Sequence, residues 1–145
     1  MFSYSVKFVC GVQNPGTASP APQCSPVRPG IYATEINIHN FHPDKGATIK
    51  KSALLLIHND EAVGREPRFV KAQPFASIQL PPDTATMDDC CGLAGPLHMD
   101  PARLNVGFLE IVSDVELNIT AVYTATDAKL ASISIDIQTV AARQI

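Results

Sequence analysis

The sequence predicts an all-β fold, a single-domain antiparallel β-sandwich of immunoglobulin-like character with about eight strands. Three observations predict it. Between Gly107 and Val140 apolar and polar residues alternate with period two. A strand sends successive side chains to opposite faces, so this pattern gives one buried face and one wet face. Antiparallel sheets packed on one side read this way, whereas parallel sheets buried on both faces read as continuous apolar runs. Turn signals rich in Pro, Gly, Asn and Asp recur between short apolar segments, with no convincing long helix. The segments are uneven in length, and a closed barrel needs matched strands and a consistent stagger, so a sandwich is favoured.

Taken in order, Phe2 to Cys10 is the first strand, with Phe2, Tyr4, Val6, Phe8 and Cys10 on one face and Ser3, Ser5 and Lys7 on the other. Its aromatic content favours strand over helix. Residues 12–30 form a proline-rich excursion. Five of the chain's 12 prolines lie here (Pro15, Pro20, Pro22, Pro26 and Pro29), and proline fixes φ and removes a backbone donor. A loop of this length is either a functional arm, for instance one lying across a neighbouring subunit, or a mobile surface loop. Ile31 to Asn40 is the second strand, with Tyr32, Thr34, Ile36 and Ile38 inward. Ala47 to His58 carries the run Ala53-Leu54-Leu55-Leu56-Ile57, read as a strand buried on both faces although leucine favours helix.

Arg68 to Gln73 and Phe75 to Leu80 are short strand signals split by Pro74, which marks an edge, a bend or a bulge. Thr84 to Cys90 is a further short strand, or else Asp83 caps a helical turn. Gly92 to Asn105 reads as a loop, with one turn at Pro101 to Leu104 capped by Asp100. Gly107 to Val140 then reads as a three-stranded meander with a hairpin turn at Ser113-Asp114. Val115, Leu117, Ile119, Ala121 and Tyr123 point inward from its second strand, and Ile133, Ile135 and Ile137 form the apolar face of its third.

Composition bounds the function. A chain of 145 residues is one domain, 1–145, long enough to bury a core without staples. Charged residues are 17%, against about 25% in typical domains. A chain this poor in charge, with edge strands to cover, is expected to self-associate as a homo-oligomer. Net charge is −3 and no basic run or face exists, which argues against nucleic acid. No apolar run reaches the length that spans a bilayer. The stretch Met1 to Phe8 has no basic start, apolar core or small-residue cleavage site, so the expected compartment is the cytoplasm, with the four cysteines as thiols.

Motifs for chemistry are sparse. Cys10, Cys24, Cys90 and Cys91 contain no Cys-x-x-Cys half-site for structural zinc. Cys10, inward on the first strand, reads as a small core residue. Asp88-Asp89-Cys90-Cys91 is a dense local ligand set, and with His39 and His42 it could form a mixed site for a divalent transition metal. Cys90, Cys91, His39 and His42 are therefore the metal candidates, and no other cofactor is implied. No Gly-x-Ser-x-Gly elbow, assembled triad or phosphate loop is present, so no catalytic residue is assigned. Glu110 and Glu116 flank the Ser113-Asp114 turn, where carboxylates ordinarily solvate a sheet. The preferred reading is a non-enzymatic homo-oligomeric binding or structural module. The alternative is a metal-binding protein or metalloenzyme. A carbohydrate or small-ligand sandwich ranks last, because Trp is absent and Tyr4 and Tyr123 point inward.

The phrases Tyr32-Ala33-Thr34-Glu35-Ile36-Asn37-Ile38-His39-Asn40, Leu80-Pro81-Pro82-Asp83 and Val122-Tyr123-Thr124-Ala125 resemble a group of small uncharacterised bacterial β-sandwich proteins. The order of elements is similar to that of the sensory rhodopsin transducer family, small β-sandwiches that assemble as tetramers. This resemblance implies an oligomeric, non-enzymatic binding or signalling module and assigns no functional residue here.

Overall fold

The structure, a computed structural model, describes residues 1–14 and 25–145. In chain order it runs β1 (Phe2–Gln13), β2 (Gly30–Asn40), β3 (Ala47–Ile57), β4 (Gln73–Leu80), β5 (Thr84–Asp89), α1 (Cys90–Leu97), β6 (Asn105–Ser113), β7 (Asn118–Thr126), β8 (Ile133–Val140) and β9 (Arg143–Gln144). Of the excursion expected at residues 12–30, Val12 and Gln13 belong to β1 and Gly30 to β2, and its middle, residues 15–24, lies outside the described residues.

All strand pairings are antiparallel, along the path β4-β3-β6-β1-β2-β7-β8, with β5 beside β2 and β9 beside β1. The path folds into two layers that share β1. Phe2 to Cys10 pair with β6 in the first layer, and Gly11 to Gln13 pair with β2 in the second. The handover occurs at Gly11, whose φ is +100°. A Cβ there would sit 1.8 Å from the Arg103 carbonyl oxygen, so only glycine fits. Beside the split, the buried Thr34 hydroxyl accepts from Val9 N–H at 2.9 Å and donates to Val9 C=O at 3.0 Å. It thereby satisfies a backbone unit that has lost its ladder partner on that side.

The core lies between the layers. Tyr4, Val6 and Phe8 of β1, Ile49 of β3 and Leu109 and Ile111 of β6 meet Ile36 and Ile38 of β2 and Ile119 and Ala121 of β7. These are the inward positions that the alternation in β1, β2 and β7 predicts. The buried Asn40 ends β2 by donating to the carbonyls of Lys45, Leu80 and Pro81 and accepting from His42 N–H. One side chain thus fastens the 41–46 turn to the end of β4.

Several expectations change. The Gly107–Val140 stretch is not a meander, because β6 pairs with β1 and β3 in one layer while β7 pairs with β2 and β8 in the other. The Ser113-Asp114 turn crosses between layers, and the Asp114 carboxylate accepts from Thr48 N–H at 2.8 Å. No strand forms over residues 68–72. Pro74 is instead the second residue of β4, opposite Ser52 at a register shift between Lys51 and Ser52. The loop expected from Gly92 begins with a helix, α1. Asp89, not Asp83, caps it by accepting from Gly92 N–H at 2.8 Å, and Leu93 anchors it in the core. His98 closes it in the left-handed conformation, with Met99 N–H reaching Ala94 C=O at 2.9 Å.

Candidate functional site

The Asp88–Cys91 set separates into four roles. The Asp88 carboxylate points between the layers onto Lys51 Nζ, at 2.8 and 3.0 Å, with the two side chains only 12% and 8% exposed. Asp89 caps α1. Cys90 forms a disulfide with Cys10, Cα to Cα 5.7 Å, across 80 residues of sequence. Cys91 is an exposed free thiol. The expectation of four thiols, with Cys10 as a plain core residue, is therefore overturned. The inward position of Cys10 was legible, but its partner is the first residue of a helix that the local sequence hides.

His39 and His42 lie at the other end of β2. Glu35 pairs with Asp89 and His39 with Ala85. Four residues of strand, ~13 Å at ~3.3 Å each, thus separate His39 from the cysteine end. His39 Nε2 is 3.7 Å from the Asp83 carboxylate on the surface. His42 Nε2 lies 2.9 Å from Glu116 C=O, and its ring stacks on Phe41. The structure does not bring Cys90, Cys91, His39 and His42 together, and among the described residues no group of three or more His, Cys, Asp or Glu is placed to hold a metal ion.

A cavity of about 340 Å³ opens beside the disulfide, lined by Cys10, Cys90, Tyr32, Met99, Pro101 and Asn105 among others. A second, of about 380 Å³, lies between the open side of β1 and the inner face of β8, with Lys7, Tyr32, Tyr123, Ser134, Asp136 and Gln138 on its wall. Tyr123 crosses this groove to donate to Lys7 C=O at 2.7 Å. Burial raises the Tyr123 phenol above its ordinary pKa, and the nearby Asp136 charge adds to the shift.

The largest departure from expectation is the direction of β8. Thr120, Val122, Thr124 and Thr126 of β7 stand opposite Thr139, Ile137, Ile135 and Ile133, and Tyr123 stands opposite Asp136. Directly opposed residues share a face. Since Ile119 and Ala121 of β7 are core, the polar residues Ser134, Asp136 and Gln138 point toward the body of the protein. Ile133, Ile135 and Ile137 point away from it and are 76%, 63% and 63% exposed. Ile31 of β2 and Met87 of β5, also exposed, fall on the same outer face through their pairings. The outward positions of β7 and β8 include no charged side chain. Glu35 of β2, opposite Val122, and Asp89 of β5, opposite Glu35, fall on the same face, so its charge-free part is the β7–β8 strip.

No family model and no curated protein matches the chain. A solved structure, described as the crystal structure of Thermotoga maritima 1070, is similar in fold. The TM-score is 0.52 at 10% identity, covering 93% of this chain and 91% of that one. At that identity the likeness bears on fold alone. It agrees with an all-β single domain. Among the described residues no helix is long and apolar enough to cross a membrane.

Proposed function

We propose that the chain is a homo-oligomeric β-sandwich that acts as a binding or structural module, with the outer face of β7 and β8 as its self-association surface. One observation carries this reading: β8 turns Ile133, Ile135 and Ile137 to solvent and its polar residues toward the protein. A one-residue slip would turn the three isoleucines toward the groove beside β1, so a protomer that holds this register leaves apolar area on its outer face to be covered by a partner. The resemblance to oligomeric β-sandwich modules implies the same class.

The Cys10–Cys90 bond supports an oxidising compartment over the cytoplasm expected from the sequence, since glutathione and thioredoxin keep cytosolic thiols reduced.

Sedimentation velocity across the micromolar range tests the reading. The expected result is a mass that is a multiple of the protomer's, reduced to the protomer by Ile135→Asp with the far-ultraviolet dichroism unchanged. A wild-type chain that stays monomeric at every concentration overturns it.

A further inference from the structure

β8 and β4 are the two ends of the hydrogen-bonded path, and they are protected differently. β4 carries Pro74 and a register shift, devices that blunt an edge. β8 has no proline, lysine or arginine, and its eight pairs with β7 run without a break in register. Its outer edge has no strand partner among the described residues. An unprotected edge of this length is a template for another strand.

The residues of β8 select the partner. Under a two-fold axis perpendicular to the sheet, an antiparallel strand pairs with itself, and four axis positions, at Ile135, Asp136, Ile137 and Gln138, keep five or more of the eight residues of β8 paired, the last with no Ile–Ile pair. An axis at Asp136 sets carboxylate against carboxylate, which is unfavourable. An axis at Ile137 gives one Ile–Ile pair and sets Ile135 against Thr139. An axis at Ile135 pairs Ile133 with Ile137, Ile135 with Ile135 and Ile137 with Ile133, and sets Ser134 against Asp136. That register makes an unbroken row of six isoleucines on the outer side and pairs a hydroxyl donor with a carboxylate on the inner side.

We propose that two protomers join β8 to β8, antiparallel, across a two-fold axis at Ile135, so that their second layers form one continuous sheet. The proposal rests on the self-association reading and adds an edge contact to it, which joins the two outward isoleucine rows into one face without covering that face. Directly opposed residues stand ~4.5–5.5 Å apart between Cα atoms. In this register Ile137 of one copy and Ile137 of the other are offset by four residues along the strand, ~13 Å. A disulfide bridges Cα atoms only up to ~7 Å.

Single cysteines therefore read the register. Ile135→Cys and Ile137→Cys are placed separately in the full chain carrying Cys24→Ser and Cys91→Ser, which leaves the Cys10–Cys90 bond intact. Each is oxidised with copper phenanthroline at a concentration where the parent is oligomeric, and the products are resolved without reductant and mapped by peptide mass. The expected result is a cross-linked dimer from Ile135→Cys, formed at least roughly tenfold faster than from Ile137→Cys. Amide exchange at residues 134–138 of the unmodified chain is expected to slow as protein concentration rises. Faster cross-linking through Ile137→Cys overturns the register. No cross-linking and no change in exchange, in a chain that still sediments as an oligomer, overturns edge pairing and leaves self-association standing. A chain monomeric throughout removes both.

Discussion

Tyr123 stands directly opposite Asp136 in the β7–β8 ladder, and this pair fixes the direction of every side chain in β8. The Tyr123 hydroxyl reaches back to Lys7 C=O on β1, so its side of the hairpin faces the protein. Asp136 shares that side, with Ser134 and Gln138 two residues to either side, and the Gln138 amide donates to the Asp136 carboxylate at 2.9 Å. The isoleucines take the other side by the period of the strand. The same pairing lines the groove beside β1 with polar groups and turns the isoleucine row outward.

This direction predicts an asymmetry between two isoleucine substitutions. Ile135→Thr, outward on β8, is expected to change protomer stability by no more than about 0.5 kcal/mol, as surface changes do. Ile36→Ala, in the core, is expected to cost about 2–5 kcal/mol. Urea unfolding at the lowest workable concentration, where self-association adds little, measures both. A core-sized loss at Ile135 in the dilute protomer would show that β8 has the opposite face inward.

The Cys10–Cys90 bond ties the point where β1 changes layers to the start of α1 and closes a loop of 80 residues. Chain-entropy reasoning assigns such a loop about 4–5 kcal/mol of stabilisation through the unfolded state. Cys10→Ser, Cys90→Ser and reduction by dithiothreitol are expected to lower the unfolding free energy by similar amounts, and the double substitution by no more than either single one. Non-reducing peptide mapping is expected to recover the Cys10–Cys90 cross-link, with Cys91 alkylated in the native protein. Recovery of both residues as alkylated thiols from protein kept in air would overturn the pairing.

The Lys51–Asp88 pair joins the layers inside the sandwich. Removing one partner leaves a buried charge uncompensated, so Asp88→Asn and Lys51→Met are each expected to cost about 3–5 kcal/mol. The double change Lys51→Met with Asp88→Leu is expected to recover most of that loss, because a packed apolar pair replaces two desolvated ions. A double-mutant cycle in guanidinium checks it. Strictly additive losses would mean that the two groups do not interact in solution.

How far the sequence could be read follows from what each signal encodes. Alternation reports that a strand has one buried face, and it served where that face meets the shared core. Tyr4, Val6 and Phe8 are inward as expected, as are Ile36 and Ile38. Alternation does not report which strand lies alongside, so β6 and β7 read as neighbours although Ser113 and Asp114 carry the chain from one layer to the other. Nor does it report which face of the molecule an apolar row occupies. The direction of β8 is fixed by the turn before it, where Leu130 N–H bonds to Asp127 C=O and Leu130 takes a positive φ, and a turn of one residue more or less would reverse it.

Helix α1 was hidden by Gly92, Gly95 and Pro96, each a poor helix former, and is held by its caps and by Leu93. The ion pair did leave a trace: Lys51 shares the parity of Ile49 and Ala53, and a lysine on a buried row needs a partner. The disulfide left none, because pairing across 80 residues depends on the complete topology.

The last prediction concerns alkaline pH. Tyr4 is buried, and its hydroxyl donates to Leu117 C=O at 3.0 Å and accepts from Leu117 N–H at 2.7 Å. Burial raises its pKa above the ordinary 10.0, the Leu117 backbone bond offsets part of the rise, and the Glu116 charge adds to it. Burial likewise raises Tyr32, and burial with Asp136 raises Tyr123. A phenol whose pKa is higher in the folded state stabilises the fold fully below its unfolded pKa. Above that value the unfolded chain releases the proton first and binds fewer protons than the native state, so stability falls as pH rises through the folded pKa. The expected outcome is a decline in unfolding free energy that begins near pH 10, with tyrosinate absorbance in the native protein lagging that of the urea-unfolded chain. Tyr4→Phe is expected to flatten the decline. It should also lower stability at neutral pH by about 1–3 kcal/mol, because the Leu117 N–H and C=O lose their shared partner. Coincident native and unfolded absorbance titrations would overturn the burial of Tyr4 and the partial burial of Tyr32 and Tyr123.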